Sequence, residues 1–143
     1  MNDNTNNELL DNWLALTSLQ ANINNELENV LQEKYSLTLK EFYVLYFLSQ
    51  TSEKKLRLLQ LQEMVGLSQS AISRLVGRME AKNCGALQRH VCEDDRRGVY
   101  TCLTELGEDK FKRALATFNE FFAQSTSLRD ALQQELQSLN KKW

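Results

Sequence analysis

Ser68, Gln69, Ser70, Ser73, Arg74 and Arg78 crowd hydroxyl, amide and guanidinium groups into one stretch, GLSQSAISRLVGRMEAKNCG at Gly66–Gly85. Ile72, Leu75, Val76 and Met79 recur there at i, i+3, i+4 and i+7, the spacing of a helix that buries one face. The polar groups therefore share the opposite face. Short side chains near the helix start let its backbone come close to another surface, while the two arginines reach out from it. A guanidinium offers two parallel N–H donors to a planar acceptor pair. This is the chemistry of reading base edges in the DNA major groove, as the second helix of a helix-turn-helix does. Arg74 suits a bidentate bond to guanine, with Ser70 and Ser73 beside it on the bases. Gln69 and Arg78 suit phosphates, which set register rather than sequence. Ser68 is the expected N-cap, and Gly85, or else Asn83, the expected left-handed end. Taken alone, the stretch is equally an ordinary amphipathic surface helix, so its flanks decide.

Downstream, Ala86–Cys92 and Val99–Leu103 have strand character and enclose the polar tip Glu93-Asp94-Asp95-Arg96-Arg97-Gly98. Two strands and a charged tip after a reading helix make a wing, which would put an arginine into the neighbouring minor groove. Cys84 falls at the end of the reading helix, where oxidation would change size and charge next to DNA; Arg89 and Lys82 lie nearby in sequence. Cysteines are more often small buried hydrophobes, and reactivity needs exposure and a lowered pKa. Trp13, Tyr35, Phe42 and Tyr46 are candidates to line a pocket for a small apolar or aromatic effector, with plain core packing as the competing role.

Enzymatic chemistry has little support. The lone His90 sits in a wing strand without an arranged Ser or Cys partner, and no Gly-rich phosphate loop is present. Cys84, Cys92 and Cys102 are odd in number, contain no C-x-x-C and meet one histidine, so reduced thiols are expected and no structural metal. No cofactor is implied.

These residues need elements to hold them. Thr5 and Glu8 have capping-box spacing and should open a long helix to about Glu33. Its leucines cover more than one narrow stripe, so it needs two surfaces to bury it, one of them a second subunit. Thr38–Glu41 is a second capping box, starting a helix from Leu39 to about Gln50 that buries Phe42, Leu45, Tyr46 and Leu48. Leu56, Arg57 and Leu58 should add a short strand. Leu59–Val65 is the first helix of the helix-turn-helix, with Gly66 as the turn. Thr104 caps a helix from Leu106 to about Gln124, and Ser127 a last one carrying Leu128, Ala131, Leu132, Leu136 and Leu139 to Trp143. Half of the six phenylalanines lie between 118 and 122, an excess for covering a small winged domain. The expected fold is mainly α with a small β-hairpin wing. Residues 37–104 would form a winged helix-turn-helix domain, and 5–34 with 105–143 a helical dimerisation layer.

Bulk properties agree. The chain has 143 residues, no Pro and five Gly, which favours long helices. Net charge is −2, but residues 53–98 carry nine Lys and Arg against six acids, while residues 1–52 carry two against seven. The reading helix lies in the basic block. No apolar run approaches the ~18 residues of a membrane span and the N-terminus is polar, so a soluble cytoplasmic protein without a signal peptide is expected.

Taken together, LSQSAISRLVGRMEAK at Leu67–Lys82 and DRRGVYTCLTELG at Asp95–Gly107 resemble the multiple-antibiotic-resistance regulator (MarR) family of winged-helix repressors. The likeness extends over nearly the whole chain in element order. The second motif resembles the family's Asp-x-Arg wing followed by a Leu-Thr-x-x-Gly helix start. The resemblance implies a homodimer on a near-palindromic operator, released by a small ligand or by thiol oxidation. It also implies that Arg97 is the minor-groove residue at the wing tip, next to Arg96, and that Asp95 orients it. Against that family the segment from Asn83 to Asp95 is about two residues longer, with Asn83 where a Gly is usual, so the helix end and the first wing strand are expected to be displaced. The alternative function is a winged-helix protein-interaction module without operator preference.

Overall fold

A computed structural model describes residues 2–81, 84–91 and 99–141. The expected wing tip with Asp95, Arg96 and Arg97, together with Cys92, Lys82, Asn83 and Trp143, lies outside the described residues. Two compact units are present, Met1–Leu39 and Lys40–Trp143.

The first unit is one long helix, α1 (Asn2–Tyr35), and the turn after it. Thr5 lies inside this helix rather than capping it, and the helix runs two residues past Glu33. It ends at Ser36, whose φ of 54° is left-handed and whose N–H donates to Gln32 O at 2.9 Å. Leu27 and Leu31 are buried, whereas Leu9, Leu10, Trp13, Leu14, Leu16 and Leu19 are all exposed. The Leu39 amide donates to Glu28 Oε1 at 2.8 Å.

The second unit begins in α2 (Leu39–Ser49). Phe42, Leu45 and Leu48 are buried as expected, and Val44 joins them. Tyr46, expected inside, is 41% exposed. Its ring leans on Phe47 and Phe111 at centroid distances of 5.5 and 6.1 Å, an amphipathic side chain lying along an apolar surface.

Strand β1 (Lys55–Arg57) leads directly into α3 (Leu58–Val65). Strand and helix both start one residue earlier than expected. The Gln60 side chain accounts for the shift, because its Oε1 takes the Arg57 N–H at 2.9 Å and starts the helix there. Gly66, at φ 77°, ends α3 in the left-handed region, and Gly66 and Leu67 both donate to Gln62 O, which satisfies an orphan carbonyl. Next comes α4 (Gln69–Glu80), then β2 (Leu87–Val91) and β3 (Val99–Leu103). The sheet is antiparallel in the order β1-β3-β2. Lys55 pairs with Cys102 and Arg57 with Tyr100, while Gln88 pairs with Cys102 and His90 with Tyr100. Because directly opposed residues share a face, Lys55, Arg57, Gln88, His90, Tyr100 and Cys102 line one side. Leu87, Thr101 and Leu103 are buried on the other.

Thr104 caps α5 (Glu105–Ala123), its hydroxyl accepting from Gly107 N–H at 3.0 Å. Ser125, not Ser127, caps the last helical stretch, since α5 stops at Ala123 and the chain turns back into helix immediately. That stretch is also broken: α6 (Thr126–Asp130), one π-helical turn (Ala131–Glu135) and α7 (Leu136–Asn140) replace a continuous helix. Leu132, Leu136 and Leu139 remain exposed there. No helix among the described residues is long and apolar enough to cross a membrane. The fold is thus mainly α with a small winged sheet, as the sequence predicts.

Candidate nucleic-acid interface

The polar face of α4 is held outward by its apolar one. Ile72, Val76 and Met79 are fully buried and Leu75 nearly so, against α3 and β2. Ser68, in extended conformation, caps the helix by accepting from Ala71 N–H at 3.2 Å. Ser68, Gln69, Ser70, Ser73, Arg74 and Arg78 are all exposed. The six therefore stand together on one accessible surface at the helix start and along one side. Gly77 lies on that face between the arginines, and no atom lies within 4 Å of where its Cβ would be.

The end of α4 differs from expectation. Gly85 is left-handed at φ 63°, yet the helix has already stopped at Glu80. Ala81 takes an extended conformation, and its carbonyl accepts from Cys84 and Gly85 N–H at 2.8 Å each. Ala86 then closes the turn. Its N–H donates to Met79 O at 3.0 Å, and its carbonyl accepts both the Thr104 N–H and hydroxyl at 3.1 and 3.0 Å. A Cβ on Gly107 would sit 2.2 Å from that same carbonyl, so the start of α5 presses on this joint and only glycine fits. The Leu-Thr-x-x-Gly pattern thus has a physical origin: Thr104 caps and clasps, and Gly107 admits the backbone.

Cys84 is half-buried in this turn. Its neighbouring cation is Lys110, whose Nζ lies 3.8 Å from Sγ, 26 residues away in sequence. Arg89, nearby in sequence, is instead paired with Glu80 at 2.7 Å and ties β2 to the end of α4. Cys102 is the other described thiol, and burial pushes its pKa up while Lys55 opposes the shift.

The expected pocket residues divide between the two units. Trp13, largely exposed, and Tyr35, half-buried, belong to the first unit. Phe42 and Tyr46 belong to the second and together line a cavity of about 570 Å³, with Tyr43, Phe47, Met64, Val65, Leu115 and Phe118. Phe42 packs on Phe111 and Phe118 at 5.7 and 5.6 Å, so it is both core and cavity wall.

Sequence reasoning missed the outward side of the sheet. Lys55 Nζ lies 4.8 Å from the Tyr100 ring centroid and the Arg57 guanidinium 5.4 Å from it. The alternation Lys55-Leu56-Arg57 was the available signal, but the tyrosine opposite comes from a distant strand.

Residues 26–114 match the family model described as transcriptional regulator SarA/Rot. No curated protein matches the chain in sequence. Among solved structures, AbsC, a MarR family transcriptional regulator from Streptomyces coelicolor, aligns at TM-score 0.70 and 23% identity, covering 94% of this chain and 95% of its own. A second MarR family regulator from Streptomyces coelicolor, solved in complex with DNA, aligns at TM-score 0.74 and 20% identity, over 91% of this chain and 84% of its own. BldR, a transcriptional regulator from Sulfolobus solfataricus, aligns at TM-score 0.71 and 23% identity, over 94% of this chain and 96% of its own. At these identities the likeness is one of fold.

Proposed function

The chain belongs to the SarA/Rot family of transcriptional regulators, and from that premise we propose that it works by binding duplex DNA sequence-specifically as a homodimeric repressor. It is a winged-helix regulator of the MarR/SarA type. The observation that carries the proposal is the outward face of α4: six polar and basic side chains on a helix whose other face is locked in the core. Ser70, Ser73 and Arg74 read base edges; Ser68, Gln69 and Arg78 hold the backbone. Arg96 and Arg97, with Asp95 orienting, place the wing in the minor groove. Residues 37–104 form the DNA-binding part, and 5–34 with 105–143 pair two copies. Two-fold symmetry then sets the reading helices about one DNA turn apart on a near-palindrome.

Release from DNA works through a small apolar or aromatic effector or through oxidation of Cys84. The cavity at Phe42 and Tyr46 supports the first route. The position of Cys84 in the turn that ends α4 supports the second. The protein acts in the cytoplasm, where the chromosome and a reducing environment coexist.

Selection of bound fragments from random duplex DNA by the pure protein tests the central claim. The expected result is an enriched near-palindrome whose binding weakens steeply with salt. Recovery of no preferred sequence would leave a protein-interaction module as the better account. Hydrogen peroxide should lower operator affinity if the thiol route operates, and a Cys84→Ser variant should then be insensitive.

A further inference from the structure

We propose that the outward side of the three-stranded sheet, centred on Lys55, Arg57 and Tyr100, is a second DNA-backbone contact that grips phosphates outside the bases read by α4. It rests on the DNA-binding reading above.

Register and burial define the surface. The six outward positions are Lys55 and Arg57 on β1, Gln88 and His90 on β2, and Tyr100 and Cys102 on β3. None of the six is an acid. Glu53, just before the strand, approaches Lys55 at 3.1 Å, with its side chain 69% exposed. On the reverse side Leu87, Thr101 and Leu103 are buried, so at this end of the sheet the Lys55–Tyr100 face is the outward one. β1 is an edge strand, which leaves its cations at the border of the sheet.

Two features make this more than a solvated basic face. First, the cations are seated. The Tyr100 ring draws both onto one spot, and its hydroxyl lies 3.4 Å from an Arg57 guanidinium nitrogen, so less side-chain freedom is lost on binding. Second, Arg57 is also the N-cap residue of α3. In a helix-turn-helix the first helix crosses the DNA backbone while the second enters the groove. The positive end of α3 and two ring-seated cations therefore coincide where a phosphate strand is expected. Phosphate is a better fit than an acidic protein patch because the site adjoins the reading helix on a common scaffold, α3 packing on both α4 and β1. Tyr100 acts as a positioning residue, and the two cations make the contact.

Salt titration tests the idea on a mixed-sequence duplex, which needs no knowledge of the operator. The slope of log affinity against log salt should flatten by about 0.9 in Lys55→Gln and again in Arg57→Gln. Base preference should stay intact, since phosphate contacts carry no sequence information. Arg57→Lys should restore the slope. Tyr100→Leu should weaken binding while keeping the slope, because the charges remain but lose their seat. Thermal melting confirms that each variant folds. An unchanged slope in the double Gln variant, with the wild type steeply salt-dependent, overturns this inference alone. Normal duplex binding by the double variant together with lost repression also overturns it, and assigns the face to an acidic protein. A wild type without salt-dependent duplex binding overturns the function itself, and this inference with it.

Discussion

Arg74 lies on the exposed face of α4 with Ser70 and Ser73 on its N-terminal side, so in the proposed complex its guanidinium would reach the base edges. Arg74→Ala is expected to cost about 1–3 kcal/mol and to relax preference at one base position. Titration against single-base operator variants checks this; an equal loss on every variant would move Arg74 to the phosphates. Glu108 makes a different kind of claim. Lys54 Nζ donates to its carboxylate at 2.5 Å, and this hydrogen bond, more than any other cause, holds the carboxyl below its ordinary range. A lowered carboxylate stabilises the fold above its ordinary pKa, and the contribution disappears as acid protonates the folded form. Glu108→Gln should therefore melt below the wild type at neutral pH, with the gap closing as pH falls through the acidic range. Both side chains are partly solvent-accessible, so the gap is small. A gap unchanged by acid would contradict the assignment.

At the scale of elements, two glycines on neighbouring helices should respond in opposite ways. Gly107→Ala drives a methyl against the Ala86 carbonyl and should destabilise by about 1–3 kcal/mol, read by denaturant titration. Gly77→Ala meets open space on an exposed helix face and should stabilise by about 1 kcal/mol. If the face lies on DNA, the same methyl weakens operator binding, so the variant is a more stable but poorer binder. Gained stability with full affinity would place Gly77 off the interface. The contrast also marks what the sequence could tell. The stripe Ile72, Leu75, Val76 and Met79, the caps Ser68 and Thr104 and the turn at Gly66 rest on local rules and were legible. The end of α4 was not, because the turn after it is closed by Ala86, whose bonds run back to Met79 and forward to Thr104 at the start of another helix. The same holds for Lys110 beside Cys84, for the cations on Tyr100 and for the π-helical turn, which no residue pattern announced.

For the whole molecule, the exposed leucines of α1 dominate. Leu9, Leu10, Trp13, Leu14, Leu16 and Leu19 are each more than half exposed, the kind of apolar surface that the proposed pairing of two copies would cover. Sedimentation at micromolar concentration should give a dimer, and Leu10→Glu with Leu14→Glu a monomer. Because two linked half-sites multiply affinity, the monomer should bind the full operator about a hundredfold or more weakly. A wild-type monomer at that concentration would remove the symmetrical arrangement. The order of elements and the charge asymmetry were readable from composition and period; strand partners, being non-local, were not. One small joint has consequences across the second unit. Ala86 is pinned on one side to the last turn of the α4 rod and on the other to the capping residue of a 19-residue lever, α5. With no room even for a methyl at Gly107, the two share a single pivot. Under the proposed effector route, a tilt of the lever from the cavity beside Leu115 and Phe118 would reach the rod's trailing end through this joint.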